Sequence, residues 1–217
     1  MKNGENTSKV KLLNLKEVEG FYIFADIRGF SRWANNNLSE VGELLEITYS
    51  QAFEFFGDLS KAEYLRRVVK LLGDGFFAVR EYNRKSKKSF NRNLIQTIGR
   101  IIKFKQSFQS ILSASILHEK SKLDISFGLS YGISRRFYLS GFPQDYAGDK
   151  INLASRLCSI AEPSVIVVEH DLKEYISKFA KQRIFNLKKS RDEKVNIKGF
   201  GERDIFVIDE ISEMENV

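Results

Sequence analysis

Apolar positions along this chain follow two periods, and each period marks an element. Residues 21–27 (FYIFADI) cluster aromatic and β-branched side chains, which predicts a buried strand. After RGFS, positions Leu38, Val41, Leu44, Leu45, Ile47, Phe53 and Phe56 fall at helical spacing and predict a helix over 38–58. Residues 63–80 read as two strands around GDG, a hairpin turn signal. A long helix is predicted over 93–117, with Leu94, Ile95, Ile98, Ile101, Ile102 and Phe104 in its stripe. LDISFGLSYGI (123–133) alternates as a strand, and GDKINLASRLCSIA (148–161) continues as a helix with Asp149 as its N-cap. SVIVVEH (164–170) is a short buried strand and DLKEYISKFA (171–180) a helix. RIFNLKK (183–189), EKVNIKGF (193–200) and RDIFVID (203–209) are short late strands. This order implies an α+β sandwich with helices packed on one antiparallel-rich sheet.

Composition narrows the class. The 217 residues suit one domain with a real core, and hydrophobic and charged fractions of 42% and 29% are globular values. With two prolines, no repeat and no low-complexity segment, no internal boundary is expected. The organisation read here is a polar segment 1–18, one domain 19–209 and a tail 210–217. No apolar stretch approaches the roughly 18 to 20 residues of a membrane span. The N-terminus has no signal-peptide core, and the single Cys158 cannot form an internal disulfide. A soluble protein of the reducing cytoplasm, with no membrane partner, is the expectation. Two histidines (His118, His170) and one cysteine argue against a zinc site.

Charge adds an uneven picture. Net charge is +7, and residues 82–117 hold eight basic side chains (Arg84, Lys85, Lys87, Lys88, Arg92, Arg100, Lys103, Lys105) and no acidic ones. Such a block can meet nucleic acid, an anionic ligand or an anionic surface, or can be a solvated helix face.

Two apolar runs are each broken by one carboxylate: Asp26 in FYIFADIRGF and Asp74 in VVKLLGDGFFAV. If the first strand pairs with the hairpin, neighbouring strands lie about 5 Å apart. Carboxylates that close raise each other's pKa unless cations bind between them. Hard oxygen ligands of this kind suit Mg²⁺ or Mn²⁺. IRGFS then turns into a helix, where backbone N–H groups of Gly29 and Phe30 could cradle phosphate. Taken singly, Asp26 reads as a helix cap and Asp74 as a turn residue. NLASR places Asn152 and Arg156 four apart, on one helical face. Alone they read as a surface amide and a snorkelling arginine, and Lys198 as a surface lysine.

FADIRGFS, KLLGDGFF, DYAGDKINLASRL and NIKGFG, in this order and at about the family's spacings, resemble the catalytic domain of class III nucleotidyl cyclases over residues 19–209. The resemblance implies a ferredoxin-like α+β fold with an antiparallel-rich central sheet and flanking helices. It implies that Asp26, Asp74 and the backbone carbonyl of Ile27 bind two Mg²⁺ or Mn²⁺ ions. The ribose 3′-OH of an NTP substrate would then attack the α-phosphate, giving a 3′,5′-cyclic nucleotide and pyrophosphate. Asn152 would orient the ribose, Arg156 would stabilise transition-state charge, and Lys198 would grip the terminal phosphates. The metal aspartates and the Asn–Arg pair would come from different subunits of a head-to-tail homodimer. One family arginine has no counterpart: Ser164 stands near its position, with Arg135 and Arg136 as candidate substitutes.

The base follows the same resemblance. Lys70 and Asp145 match the family's purine-selecting pair, which points to ATP. Against this, Tyr64, Arg66 and Arg67 are bulky residues where adenylate cyclases usually have small ones. The bare catalytic domain is also similar to the pyrimidine cyclases of bacterial anti-phage (Pycsar) systems, which make cyclic UMP or cyclic CMP for a downstream effector. The pyrimidine reading is narrowly favoured, with adenylate cyclase as the alternative. A diguanylate cyclase would need a Gly-Gly-acidic-acidic-Phe turn, which LGDGFF lacks. A non-enzymatic nucleic-acid-binding module is the remaining rival. SFGLSYGI does not carry the exposed aromatics of an RNA-recognition sheet, so no nucleic-acid partner is expected.

Overall fold

The aromatic run at 21–27 lies in the middle of the sheet, where both neighbours are strands. The computed structural model describes residues 12–61, 64–82, 87–114, 123–140, 144–180, 186–189 and 194–209. In chain order the elements are β1 (Leu12–Arg28), α1 (Phe30–Asn36), a 3₁₀ turn (Leu38–Glu40), α2 (Val41–Phe56), β2 (Leu59–Lys61), β3 (Tyr64–Leu71), β4 (Gly75–Tyr82), α3 (Lys87–Ala114) and β5 (Asp124–Leu139). There follow β6 (Asp145–Ala147), α4 (Asp149–Ile160), β7 (Ile166–Glu169), α5 (His170–Ala180), β8 (Asn186–Lys189), β9 (Val195–Ile197), β10 (Gly201–Arg203) and β11 (Ile205–Asp209). The main sheet runs β2-β3-β4-β1-β5-β7-β11-β8, with β6 paired to β5, and β9–β10 forms a separate two-stranded ribbon. Only the β5–β7 pairing is parallel among the described strands.

Alternation along β1 splits the core into two layers. Phe21, Ile23, Ala25 and Ile27 face α2, α3 and α5, and Tyr22 and Phe24 face the side that holds α4. The first layer is largely phenylalanine. Phe56, Phe76, Phe104, Phe108 and Phe127 are buried, with neighbouring ring centroids 5.3 to 6.4 Å apart. Rings of this size bury much apolar area and lock their neighbours by tilted contacts. On the second layer α4 buries Ile151, Leu153, Ala154, Leu157 and Cys158. It lies so close to β5 that a Cβ on Gly128 would stand 2.1 Å from the Ala154 carbonyl oxygen and 2.3 Å from the Cys158 nitrogen. Lys150 pins the start of the helix, with Nζ 2.5 Å from Glu169 and 3.1 Å from Asp171.

Several boundaries differ from the pattern. β1 begins at Leu12 rather than 21, because Leu12–Glu19 ladders with the far end of β5, to Leu139–Ile133; backbone pairing there holds the exposed residues Asn14–Glu17 in the strand. The apolar stripe over 38–58 splits into the 3₁₀ turn and α2, and Leu38 (81% exposed) and Phe53 (53%) stay outside the core. Asp149 is not the N-cap of α4. Gly148 holds that place at φ 153°, no side chain caps the helix, and Asp149 lies in its first turn. Strands β2, β6 and β10 are too short to leave a period of their own. The expected helix end at 115–117, the strand start at 183–185 and the segments 1–11 and 210–217 lie outside the described residues.

Gly128→Ala should overpack the contact of β5 with α4 and cost about 1–3 kcal/mol. Urea denaturation of the variant against wild type measures this, and equal midpoints would contradict the packing described.

Candidate active site

The β1–β4 ladder ends on the pair Asp26–Gly75, and the next backbone bond runs from the Ile27 N–H to the Asp74 carbonyl oxygen at 2.9 Å. The turn that carries Asp74 closes through Leu72 N–H to the Gly75 oxygen at 2.8 Å, with Gly73 at φ 81°. Gly75 has no room for a side chain, since a Cβ would stand 2.1 Å from the Ala25 oxygen. The hairpin therefore presses its turn against the end of β1. Asp26 and Asp74 line one cleft of about 990 Å³ with Ile27, Gly29, Phe30 and Pro163. A strand residue points its N–H and C=O to the same neighbour. The Ile27 carbonyl is thus directed to the Asp74 side, beyond the last β1–β4 pair.

The electrostatics of this cleft favour a cation. Burial pushes the Asp26 pKa above its ordinary value, the Arg28 guanidinium partly offsets this, and the charge of Asp74 pushes it up again. Asp26 is not a helix cap: Gly29, at φ 84°, is the N-cap of α1 and receives no side-chain bond. Among the described residues no three or more of His, Cys, Asp and Glu converge. A divalent ion here would be held by two carboxylates and a carbonyl, completed by water and phosphate oxygens. Mg²⁺ and Mn²⁺ suit such an incomplete oxygen set.

Lys70 and Asp145 come together elsewhere on the same face of the sheet. Lys70 Nζ lies 2.6 Å from Asp145 Oδ2, and the Tyr146 N–H donates to Asp145 Oδ1 at 2.7 Å. Lys70 pairs with Phe77 and Arg67 with Val79, both on the α4 layer. Arg67 is largely covered, its Nε 3.9 Å from Asp58. Arg66 turns to the opposite layer and donates from Nε to the Gly57 carbonyl at 3.2 Å, so only one of the two arginines shares the face of Lys70. Tyr64 is the cross-strand partner of Tyr82, and its side chain lies outside the described residues.

Asn152 and Arg156 are exposed on α4, on the side away from its buried stripe, and neither lines the Asp26–Asp74 cleft. Lys198 is exposed in the turn between β9 and β10. One chain thus carries two separated groups of site residues. Arg135 and Arg136 lie far along β5. Asp26 pairs with Ser126 but Glu17 pairs with Arg135, nine residues on, or about 30 Å at strand rise. Both arginines are engaged, Arg135 with Glu17 at 3.2 Å and Arg136 with Glu81 at 2.9 and 3.0 Å. Neither replaces the missing arginine within the chain. Lys105 is the cation that reaches Ser164, donating to its carbonyl at 2.7 Å. Pattern reading missed this residue, although it belongs to the basic block, because only the docking of α3 points it there.

Residues 19–210 match the adenylate and guanylate cyclase catalytic domain family. The chain belongs to that family. It is a class III nucleotidyl cyclase domain, and its fold agrees with solved relatives. The adenylyl cyclase CyaB from P. aeruginosa superposes with a TM-score of 0.70 at 17% identity, covering 94% of this chain and 100% of that one. The guanylyl cyclase Cya2 gives 0.69 at 14% identity, covering 94% and 98%. The catalytic core of a rhodopsin-guanylyl cyclase with converted specificity, in complex with ATPαS, gives 0.62 at 18% identity, covering 90% and 97%. At these identities the likeness carries the fold alone. No curated protein sequence matches the chain. No helix among the described residues is long and apolar enough to cross a membrane.

The raised pKa of Asp26 has a consequence for the cyclase domain without metal. A carboxyl whose folded-state pKa is raised favours folding when protonated, and that contribution is lost as pH rises through the folded-state value. Asp26→Asn should therefore be more stable than wild type at pH 7 in EDTA. The difference should close as pH falls below the ordinary carboxylate value of 3.8. Denaturant titration at the two pH values reads both signs; a less stable variant at pH 7 would refute the electrostatic account.

Proposed function

We propose that this domain cyclises an NTP to its 3′,5′-cyclic nucleotide and pyrophosphate, at two equivalent sites shared across a head-to-tail homodimer. The observation that carries this reading is the cleft that joins Asp26, Asp74 and the Ile27 carbonyl, on a chain whose Asn152 and Arg156 lie elsewhere. The first group would hold two Mg²⁺ or Mn²⁺ ions, whose chemistry is to acidify the ribose 3′-OH and bind the leaving pyrophosphate. Gly29 and Phe30 offer backbone at the edge of the same cleft. From the partner, Asn152 would orient the ribose and Arg156 would meet charge that grows on the α-phosphate as the 3′-oxygen attacks and the bond to pyrophosphate breaks. Lys198 would grip the terminal phosphates. A monomer would hold both groups and complete neither site.

For the base we favour UTP or CTP. Arg67 stands on the face of Lys70, and Lys70 and Asp145 are drawn into an ion pair at 2.6 Å, which together leave less room for a two-ring base. The same pair supports the second reading, ATP, since these positions select adenine in the family. The product would serve as a cytoplasmic second messenger in anti-phage defence, read by an effector outside this chain, with no membrane or nucleic-acid partner.

Each of the four NTPs with Mn²⁺ should be tried separately, following pyrophosphate and cyclic product. UTP or CTP is expected to give the highest kcat/KM, and preference for ATP would decide for the alternative. Asp74→Ala and Arg156→Ala should each lower turnover by at least about a hundredfold. Mixing the two inactive chains should restore about a quarter of wild-type activity, because half the dimers are mixed and each has one intact site. No recovery after subunit exchange is verified would rule out shared sites.

A further inference from the structure

Arg28 takes no part in the roles above, yet it lines the Asp26–Asp74 cleft and reaches from Asp26 to α4. It lies two residues beyond Asp26 on β1, so both side chains leave the same face of the strand. Its Nη1 is 3.1 Å from Asp26 Oδ2. Its Nη2 donates to the Cys158 carbonyl, in the last turn of α4. The Nε atom is buried and has no hydrogen-bond partner. Carbonyls at a helix C-terminus carry partial negative charge, which favours a cation there. A guanidinium is a rigid planar fork. Held at both ends, it fixes how the Asp26 carboxylate stands relative to α4, and it places a positive charge where a divalent ion would bind.

We propose that Arg28 is a positioning residue and the resident counter-ion of Asp26: it gives up the carboxylate when a divalent cation enters, and stays anchored on α4. This rests on the cyclase reading of the cleft for its effect on turnover, but not for its effect on metal binding. In the metal-free protein Arg28 neutralises a half-buried carboxylate that would otherwise face Asp74 alone. On loading, the bond from Nη2 to α4 keeps the fork beside Asp26 and limits the orientations that the carboxylate can take.

The test measures Mn²⁺ binding by the electron paramagnetic resonance signal of free Mn²⁺, using the full chain and no nucleotide, alongside steady-state kinetics. In Arg28→Gln the competing charge is gone, so Mn²⁺ should bind about threefold to fivefold more tightly, the size expected of a partly exposed ion pair. Its kcat at saturating Mn²⁺ should still fall about tenfold with KM for the NTP little changed, since misplacement of a reacting group costs turnover. Arg28→Lys keeps the charge but not the fork. Its Mn²⁺ affinity should stay near wild type while kcat falls as in the glutamine variant, and it decides the matter if Arg28→Gln does not fold. A purely structural arginine would weaken metal binding when removed. Unchanged or weaker Mn²⁺ affinity in Arg28→Gln overturns the counter-ion role, and unchanged kcat in either variant overturns the positioning role. Wild type that shows the metal results yet turns over no NTP would sink the cyclase reading and leave the ion exchange standing.

Discussion

The antiparallel pairing of β1 with β4 is the constraint on which the site depends. Its last pair, Asp26 with Gly75, and the bond from Ile27 N–H to the Asp74 oxygen bring the end of one strand against the turn of its neighbour. Two carboxylates 48 positions apart in sequence then share one cleft. Burial and the Asp74 charge both disfavour an ionised Asp26, and Arg28 partly offsets them; the close approach itself requires glycine at 75, where a side chain would collide with the Ala25 carbonyl. The cleft is an acidic site built by hydrogen-bond register.

The second constraint is the close approach of α4 to β5 at Gly128. It fixes the helix by burying one stripe, which leaves Asn152 and Arg156 on the opposite side. Among the described residues, the side chains of Asn152 and Arg156 meet no carboxylate or hydroxyl of their own chain. The fold thus sets the candidate site residues in two halves, Asp26 and Asp74 at the end of β1 and its neighbouring turn, Asn152 and Arg156 on α4. Arg28 links the two locally, because the helix whose end it grips is the one that presents the second half.

Two further ion pairs hold the architecture around the site. Arg136 is clamped by Glu81, whose carboxylate also accepts from the Tyr146 hydroxyl at 2.7 Å, and this network holds β6 with Asp145 in place. Lys150 does the same for the start of α4. Partly buried ion pairs of this kind are weak evidence of added stability, because desolvation offsets their attraction. The buried Cys158 thiol, pushed up to about 12, is shielded from ionisation and serves as packing.

Periodicity and spacing by themselves determined the α+β class, the hairpin around GDG, the helix that carries Asn152 and Arg156 on one face, and the two carboxylates as a candidate pair. These are local properties: side-chain period, turn chemistry and helical geometry need no distant partner. Short strands such as β6 and the polar start of β1 were not legible, because ladder hydrogen bonds to β5 hold them and neither leaves an apolar period of its own. Which cation stands at Ser164 was also decided by tertiary structure. Arg135 and Arg136 are distant along β5 and already paired, and Lys105 arrives from another helix. The same holds for Arg28, which is plain in the motif as a letter but acquires its role only where the end of β1 and the last turn of α4 are packed together.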